Sequence, residues 1–128
     1  MTPFRRRLLA KKSSGEPLYY QTALIEGDTS QSTQVGDSLS WTSGQKYHFV
    51  FDWEVTAVAD STTSVQVRSS GQEYTFFTEN NATVGQTGHV DATYASNFTR
   101  NRSIFVLRRT DNKNFSIDIT NLKIYLAT

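Results

Sequence analysis

The stretch that decides the fold is residues 45–58, which read QKYHFVFDWEVTAV. Its odd positions carry large apolar side chains, and its even positions are mostly polar. Side chains alternate between the two faces of a β-strand, so this pattern predicts a long strand with an apolar inner face and a wet outer face. The apolar set is Tyr47, Phe49, Phe51, Trp53, Val55 and Ala57.

Shorter segments on either side alternate in the same way, and turn signals such as Ser70-Gly71 separate them. The predicted strands cover residues 18–26, 64–69, 72–78, 89–95 and 103–107, and residues 31–41 are polar and ambiguous. Residues 103–107 are apolar on both faces, which indicates a strand that is covered on both sides. Roughly seven to nine short strands predict an all-β protein, a single antiparallel β-sandwich of the jelly-roll type.

The last strand changes parity. In NFSIDITNLKIYL, residues 114–126, the apolar set is first odd and then even, with the change between Thr120 and Asn121. One extra residue at a β-bulge would return the second half to the inner face. The alternative is a strand that passes from one sheet to the other at this point. We favour the bulge.

The N-terminal segment differs from the rest. Residues 1–15 carry five basic residues and no acidic one, whereas residues 16–128 carry eight basic and twelve acidic residues. We therefore divide the chain into a basic arm, residues 1–17, and a sandwich domain, residues 18–128. The arm is predicted to dock on a neighbouring chain through Phe4, Arg5, Arg6, Arg7, Leu8, Leu9, Lys11 and Lys12. Its apolar run is too short for a secretory signal, a mitochondrial transit peptide is the lesser alternative, and we expect no membrane partner because no apolar run approaches about 20 residues.

Catalytic chemistry has no signature in this sequence. There is no cysteine, and no nucleophile, metalloprotease or phosphate-binding motif occurs. His48, Asp52 and Glu54 share the outer face of the long strand, and His89 and Asp91 share another. Each set is either a weak metal site or an exposed polar face, and we favour the polar face. We expect no enzyme activity, no cofactor and no bound metal.

Exposed aromatic rings are the candidates for sugar binding, because a flat ring can stack on the apolar face of a sugar. Trp53 is in phase with the apolar positions of its strand, which favours the core. Trp41 lies beside a turn, where core and ligand contact are both open. We name Trp41, Tyr20 and Tyr94 as candidate glycan contacts. Nucleic acid is the other partner that the basic arm would suit, with a second basic cluster at Arg100, Arg102, Arg108 and Arg109.

Two resemblances extend this interpretation. Residues 41–51, WTSGQKYHFVF, and residues 115–124, FSIDITNLKI, resemble the strands of carbohydrate-binding-module-like (galactose-binding-like) jelly rolls. The opening MTPFRRRLLAKK is similar to the N-termini of virion proteins from tailed phages that infect gut Bacteroidetes.

Together these resemblances imply a non-enzymatic structural protein located in the virion, such as an auxiliary capsid, head-fibre or tail-associated protein. The arm would attach it to capsid, portal, tail or fibre subunits, and a homo-oligomer is expected. Two alternatives remain open. The first is a glycan-binding module for adhesion to host-surface glycans, and the second is a nucleic-acid-binding viral coat protein.

Overall fold

The computed structural model describes residues 19–21, 25–28, 32–108 and 111–127, with side chains from residue 34 onward. These residues form nine strands and one short 3₁₀ turn, Ser70–Gln72. The strands are β1 Tyr19–Gln21, β2 Ile25–Asp28, β3 Ser32–Trp41, β4 Lys46–Val58, β5 Val65–Ser69, β6 Thr75–Glu79, β7 Thr87–Ala95, β8 Arg100–Arg108 and β9 Phe115–Ala127. The predicted arm, residues 1–17, lies outside the described residues, and no membrane-length apolar helix occurs among them.

The strands form two antiparallel sheets. One sheet has the order β1-β9-β4-β7, with β2 also pairing β9 beyond β1, and the other has the order β3-β8-β5-β6. The predicted all-β sandwich is confirmed. Strands β7 and β6 end the two sheets on the same side of the sandwich, and this arrangement positions the surfaces described below.

β4 has the predicted alternation from Tyr47 to Val55. A register shift against β9 after Val55 then leaves Ala57, which was predicted to face inward, exposed. Tyr47, Phe49, Phe51 and Val55 are buried, and Lys46, Glu54 and Thr56 are exposed. The buried rings pack against rings of the second sheet, with Phe49 and Phe76 centroids 4.7 Å apart and Phe51 and Phe105 centroids 5.1 Å apart. These contacts between the sheets form the core, and burial of rings of this size dominates core energetics.

The parity change in β9 is a bulge, as we favoured. Val50 pairs with Lys123 and Asp52 pairs with Thr120, so β9 has one residue more than β4 between these pairs. The extra residue leaves both Ile119 and Leu122 buried in one continuous strand. Asn121 takes up the bend with a positive φ of 55°, a conformation that asparagine tolerates better than most residues.

The predicted strand boundaries need correction at several points. The single strand predicted over residues 18–26 is two short strands, β1 and β2, which pair with successive parts of β9. The ambiguous residues 31–41 contain β3, a strand of ten residues with an irregularity between Val35 and Ser38. The sequence is ambiguous here because only Val35, Leu39 and Trp41 are large and apolar, and these three are the residues of β3 that contact the core. The doubly apolar segment of β8 is confirmed, since Ile104, Phe105, Val106 and Leu107 are all buried.

Two of the three candidate glycan contacts are core residues. Trp41 is 1% exposed, its Nε1 donates a hydrogen bond to the Arg102 carbonyl, and its ring meets Tyr47 edge-on at 4.7 Å. Tyr94 is 8% exposed, and burial raises the pKa of its hydroxyl. Neither ring offers a free face to a sugar, so both assignments are wrong in this structure. Tyr20 lies in β1 opposite Lys123, and its side chain is outside the described part of the chain.

Candidate functional site

The outer side of the β9-β4-β7 sheet is a mostly polar surface, which we call the polar face. Val50, between Asp91 and Lys123, is an apolar member of it. Three neighbouring strands supply it, each through the alternate positions that point away from the core. Its residues are His48, Asp52 and Glu54 on β4, Thr87, His89, Asp91 and Thr93 on β7, and Asp118, Thr120, Asn121, Lys123 and Tyr125 on β9. The sequence predicted that His48, Asp52 and Glu54 share one outer face and that His89 and Asp91 share another, but not which of them meet.

Two histidine–aspartate pairs link β4 to β7 across the polar face. His89 lies opposite Asp52 in the strand register, and its Nδ1 is 2.6 Å from the Asp52 carboxylate. His48 Nε2 is 2.6 Å from the Asp91 carboxylate. The sequence grouped these residues by strand, with one set on β4 and one on β7. In the structure each pair instead joins one residue of β4 to one residue of β7. The register of β7 on β4 decides this pairing, and the local pattern of either strand does not contain it.

Asp52 is the most constrained carboxylate of the polar face. Its second oxygen accepts a hydrogen bond of 3.1 Å from Asn121 Nδ2. Asn121 is the extra residue of the β9 bulge. The bulge brings its side-chain amide to the outer face beside Asp52, which a regular strand would not do. The hydrogen bonds from His89 and then from Asn121 hold the pKa of Asp52 below its usual value. A carboxylate held ionised and oriented in this way is a pre-formed acceptor.

A groove of about 430 Å³ lies beside this carboxylate and is called the face groove. Asp52, Glu54 and Asp118 contribute carboxylates to it, and Thr87 and Thr120 contribute hydroxyls. Glu54 and Asp118 stand directly opposite each other on β4 and β9. Like charges in facing positions destabilise a sheet, and neither carboxylate has an ion-pair partner within the described residues. The face groove is therefore lined by acidic acceptors.

An aromatic ring borders the polar face at its other end. Tyr125 on β9 is half-buried, and its ring centroid is 5.5 Å from that of His48, with the planes tilted by 30°. Because Asp91 holds His48 by its Nε2 atom, the imidazole is fixed beside the phenol ring. The two rings and the oriented carboxylates thus share one regular sheet surface. Tyr125 lies opposite His48 in the β4–β9 register, which explains why the two rings are close together.

A second groove, of about 500 Å³, opens between the edge strands β6 and β7 and is called the edge groove. A bulge in β6 shapes its aromatic wall, because Val67 pairs with Phe77 and Arg68 with Thr75, which leaves Phe76 as the extra residue. Phe76 enters the core, and Phe77 stacks on Trp53 at 4.3 Å with the planes 9° apart. Both rings are engaged by protein.

Gly88 lies where the two grooves meet. It stands opposite Trp53 in the register, and a Cβ atom at Gly88 would come within 2.3 Å of Trp53 Cζ2. The glycine therefore lets the indole lie across β7 and reach Phe77 on the other sheet. Trp53 is 6% exposed, which confirms the core position that its phase predicted.

The metal-site alternative gains no support from this geometry. No cluster of three or more histidine, cysteine, aspartate or glutamate side chains that could hold a metal ion occurs in the described ranges. His48 lies with Asp91 and His89 with Asp52, so the grouping of His48 with Asp52 and Glu54 does not form a ligand set.

Comparisons with known proteins give one structural likeness. No known family profile matches the chain, and no curated protein matches it in sequence. Among solved structures, the chain is similar to one titled "CBM4 structure and function", with a TM-score of 0.44 and 14% sequence identity. The alignment covers 84% of this chain and 88% of that one. The likeness concerns the sandwich.

Proposed function

We propose that this protein is a non-catalytic glycan-binding module and that the polar face is its binding surface. The observation that carries the proposal is the Asp52 carboxylate, fixed by His89 and Asn121 beside an open groove, on the same sheet surface as the His48–Tyr125 ring pair. This combines the two kinds of contact that a sugar needs.

The first kind is hydrogen bonding to hydroxyl groups. A carboxylate accepts strong hydrogen bonds, and one that is already oriented loses little conformational freedom when a ligand binds. Asp52 is oriented in this way, and Glu54, Asp118 and Thr120 surround the same groove. A ligand with several adjacent hydroxyl donors satisfies such acceptors, and a carbohydrate has that chemistry.

The second kind is contact with an aromatic face. The C–H groups of a sugar ring form an apolar surface that packs on a flat side chain. Tyr125 is the aromatic ring of the polar face, and His48 supports it from one side. In the edge groove, by contrast, Phe77 is stacked on Trp53 and Phe76 is packed among core rings. The polar face is therefore the better candidate for sugar binding.

The histidine–aspartate pairs serve binding in this proposal and not catalysis. A general base acts on a nucleophile or substrate held in a site that excludes water. His89 and Asp52 have side chains that are 57% and 45% exposed, and no hydroxyl nucleophile is hydrogen-bonded to either histidine in the described part of the chain. The pairs orient groups on an open surface.

The test is a glycan array followed by titration calorimetry on the strongest hits, with the full chain and two single variants. Tyr125→Ala removes the ring, and Asp52→Asn removes the charge while keeping the shape. We expect each to weaken binding by about tenfold or more, equivalent to at least about 1.4 kcal/mol. The matched control is Thr78→Ala, an exposed position on the other sheet, which should bind normally. Binding that survives both variants would exclude the polar face.

The virion role expected from the sequence depends on residues 1–17, which lie outside the described residues. It stays a prediction, as do the expected virion partners and the nucleic-acid alternative. A glycan-binding module is compatible with attachment to a larger particle, and the two roles are separable by experiment.

A further inference from the structure

The two sheets have four edges between them. Three of these edges are formed by strands that are short or contain a register irregularity. On one sheet, β3 has a register irregularity between Val35 and Ser38, and β6 is only five residues long and contains a bulge. On the other sheet, one edge is shared by β1 and β2, of three and four residues. The remaining edge is β7, which pairs with β4 through nine consecutive residues without a shift.

A long regular edge strand is a template for another strand, because its outer row of N–H and C=O groups has no partner in the sheet. Folded proteins commonly block such edges with lysine, proline, bulges or short strands. β7 reads TGHVDATYA and contains no lysine, arginine or proline. Among the described strands, β7 pairs with β4 alone. The three interrupted edges carry such devices, and β7 does not.

We propose that β7 pairs antiparallel with β7 of a second copy of this chain, about a two-fold axis at Val90. In this register His89 faces Asp91 of the partner subunit, and Asp91 faces the partner's His89. Gly88 then stands opposite the partner's Ala92, and Thr87 opposite the partner's Thr93.

Charge complementarity selects this register. Directly opposite residues of an antiparallel pair point to the same side of the sheet, so only registers that keep polar positions opposite polar positions preserve both sandwiches. The two neighbouring registers of this kind centre on Asp91 or on His89. The first places two aspartates face to face, and the second places two histidines face to face. The register centred on Val90 instead places each imidazole opposite a carboxylate, so that no like groups face each other.

The pairing would also extend existing features of the monomer. The His48–Asp91 and Asp52–His89 pairs would join those of the partner into two alternating rows of acids and imidazoles, related by the two-fold axis. The two polar faces would become one surface, and the mouth of each edge groove would lie against the neighbouring copy. This inference goes beyond sugar binding and does not depend on it, since each copy carries a whole polar face.

Two charge variants test the pairing by light scattering on the full chain over a range of concentrations. The wild type should approach twice the 14.5 kDa chain mass. Thr87→Lys with Thr93→Lys places lysines face to face at both ends of the paired segment, which should raise the dissociation constant of the dimer about tenfold or more. Thr87→Lys with Thr93→Glu keeps the first substitution but places opposite charges across the interface, and it should dimerise at least as well as the wild type.

Introduced cysteines test the register, because the natural chain has none. Thr87→Cys with Thr93→Cys should give a disulfide-linked dimer under mild oxidation. Within one strand these positions are about 20 Å apart, so they cannot bond within a copy. Either single variant should fail to cross-link, because each cysteine would then face a threonine.

Three results would overturn the proposal. They are a wild-type chain that stays monomeric at every concentration, equal dimerisation of the two charge variants, and equal cross-linking by a single-cysteine variant. If the wild type is monomeric but binds an extended peptide along β7, the edge receives a different protein and the proposed occupant is wrong. Circular dichroism and thermal melts confirm that each variant is folded.

Discussion

Trp41 shows what one side chain contributes to this fold. Its ring lies parallel to that of Phe49 at 6.0 Å, meets Tyr47 edge-on, and donates its N–H to a backbone carbonyl. Trp41→Ala would leave a large cavity and an unpaired carbonyl. We expect it to lower the free energy of unfolding by about 3–5 kcal/mol, measured by urea denaturation. Leu126→Ala, at a side chain that is 52% exposed, is the control and should cost far less. A stable, folded Trp41→Ala protein that loses only sugar binding would contradict the core assignment.

Asp52 gives a prediction about pH. The hydrogen bonds from His89 and Asn121 lower the pKa of Asp52 in the folded state. The stabilisation from its ionised form is therefore present above the usual carboxyl pKa of 3.8 and is lost as the pH falls through the lower folded value. The contribution is small because the group is exposed to water.

Carboxyl-carbon NMR titration measures this effect directly. The Asp52 midpoint should lie below 3.8 in the wild type, and it should rise in His89→Ala and, by less, in Asn121→Ala. Asp60 provides an internal reference, because hydrogen bonds from the backbone and side chain of Thr62, and then from Lys113, lower its pKa to about 2. An Asp52 midpoint unchanged by both substitutions would mean that the network does not form in solution.

At the scale of the element, β9 combines a structural and a functional feature in its bulge. Asn121 has a positive φ, which a β-branched residue adopts only at a cost. We expect Asn121→Val to destabilise the fold by about 1–3 kcal/mol. Asn121→Gly should be nearly neutral for stability, because glycine adopts this conformation freely, but it should weaken sugar binding because the amide no longer holds Asp52. Equal stabilities for the two variants, measured by urea denaturation, would contradict the bulge.

Individual strands differ in how far the sequence predicts them. β4 and β9 are predicted well because their alternation is long and is broken only at the bulge in β9 and near the end of β4, after Val55. The division between β1 and β2, and the extent of β3, are not predicted, because each depends on pairing with a distant strand. The candidate site follows the same rule. Outward residues such as His48 and Asp52 can be found from parity, whereas their partners Asp91 and His89 are set by the β4–β7 register.

At the scale of the whole molecule, the arm and the sandwich should be separable. The first described strand, β1, begins at Tyr19 and pairs with β9, after the end of the predicted arm. We therefore expect removal of residues 1–15 to leave the melting temperature within a few degrees of the full chain, while abolishing incorporation into a virion if the arm is an assembly tether. Calorimetry measures the first result, and assembly in infected cells the second. Normal incorporation of the truncated chain would contradict the tether.

The central claim is that an oriented acidic and aromatic sheet surface binds sugar. The most direct measurement is a titration of the isotope-labelled full chain with a panel of soluble neutral and acetamido oligosaccharides, followed by amide and side-chain NMR. The account predicts saturable shifts concentrated at Asp52, His89, Asn121, His48 and Tyr125, and none on the outer side of the other sheet. Shifts confined to the edge groove or to the other sheet, or the absence of saturable shifts with the whole panel, would contradict it.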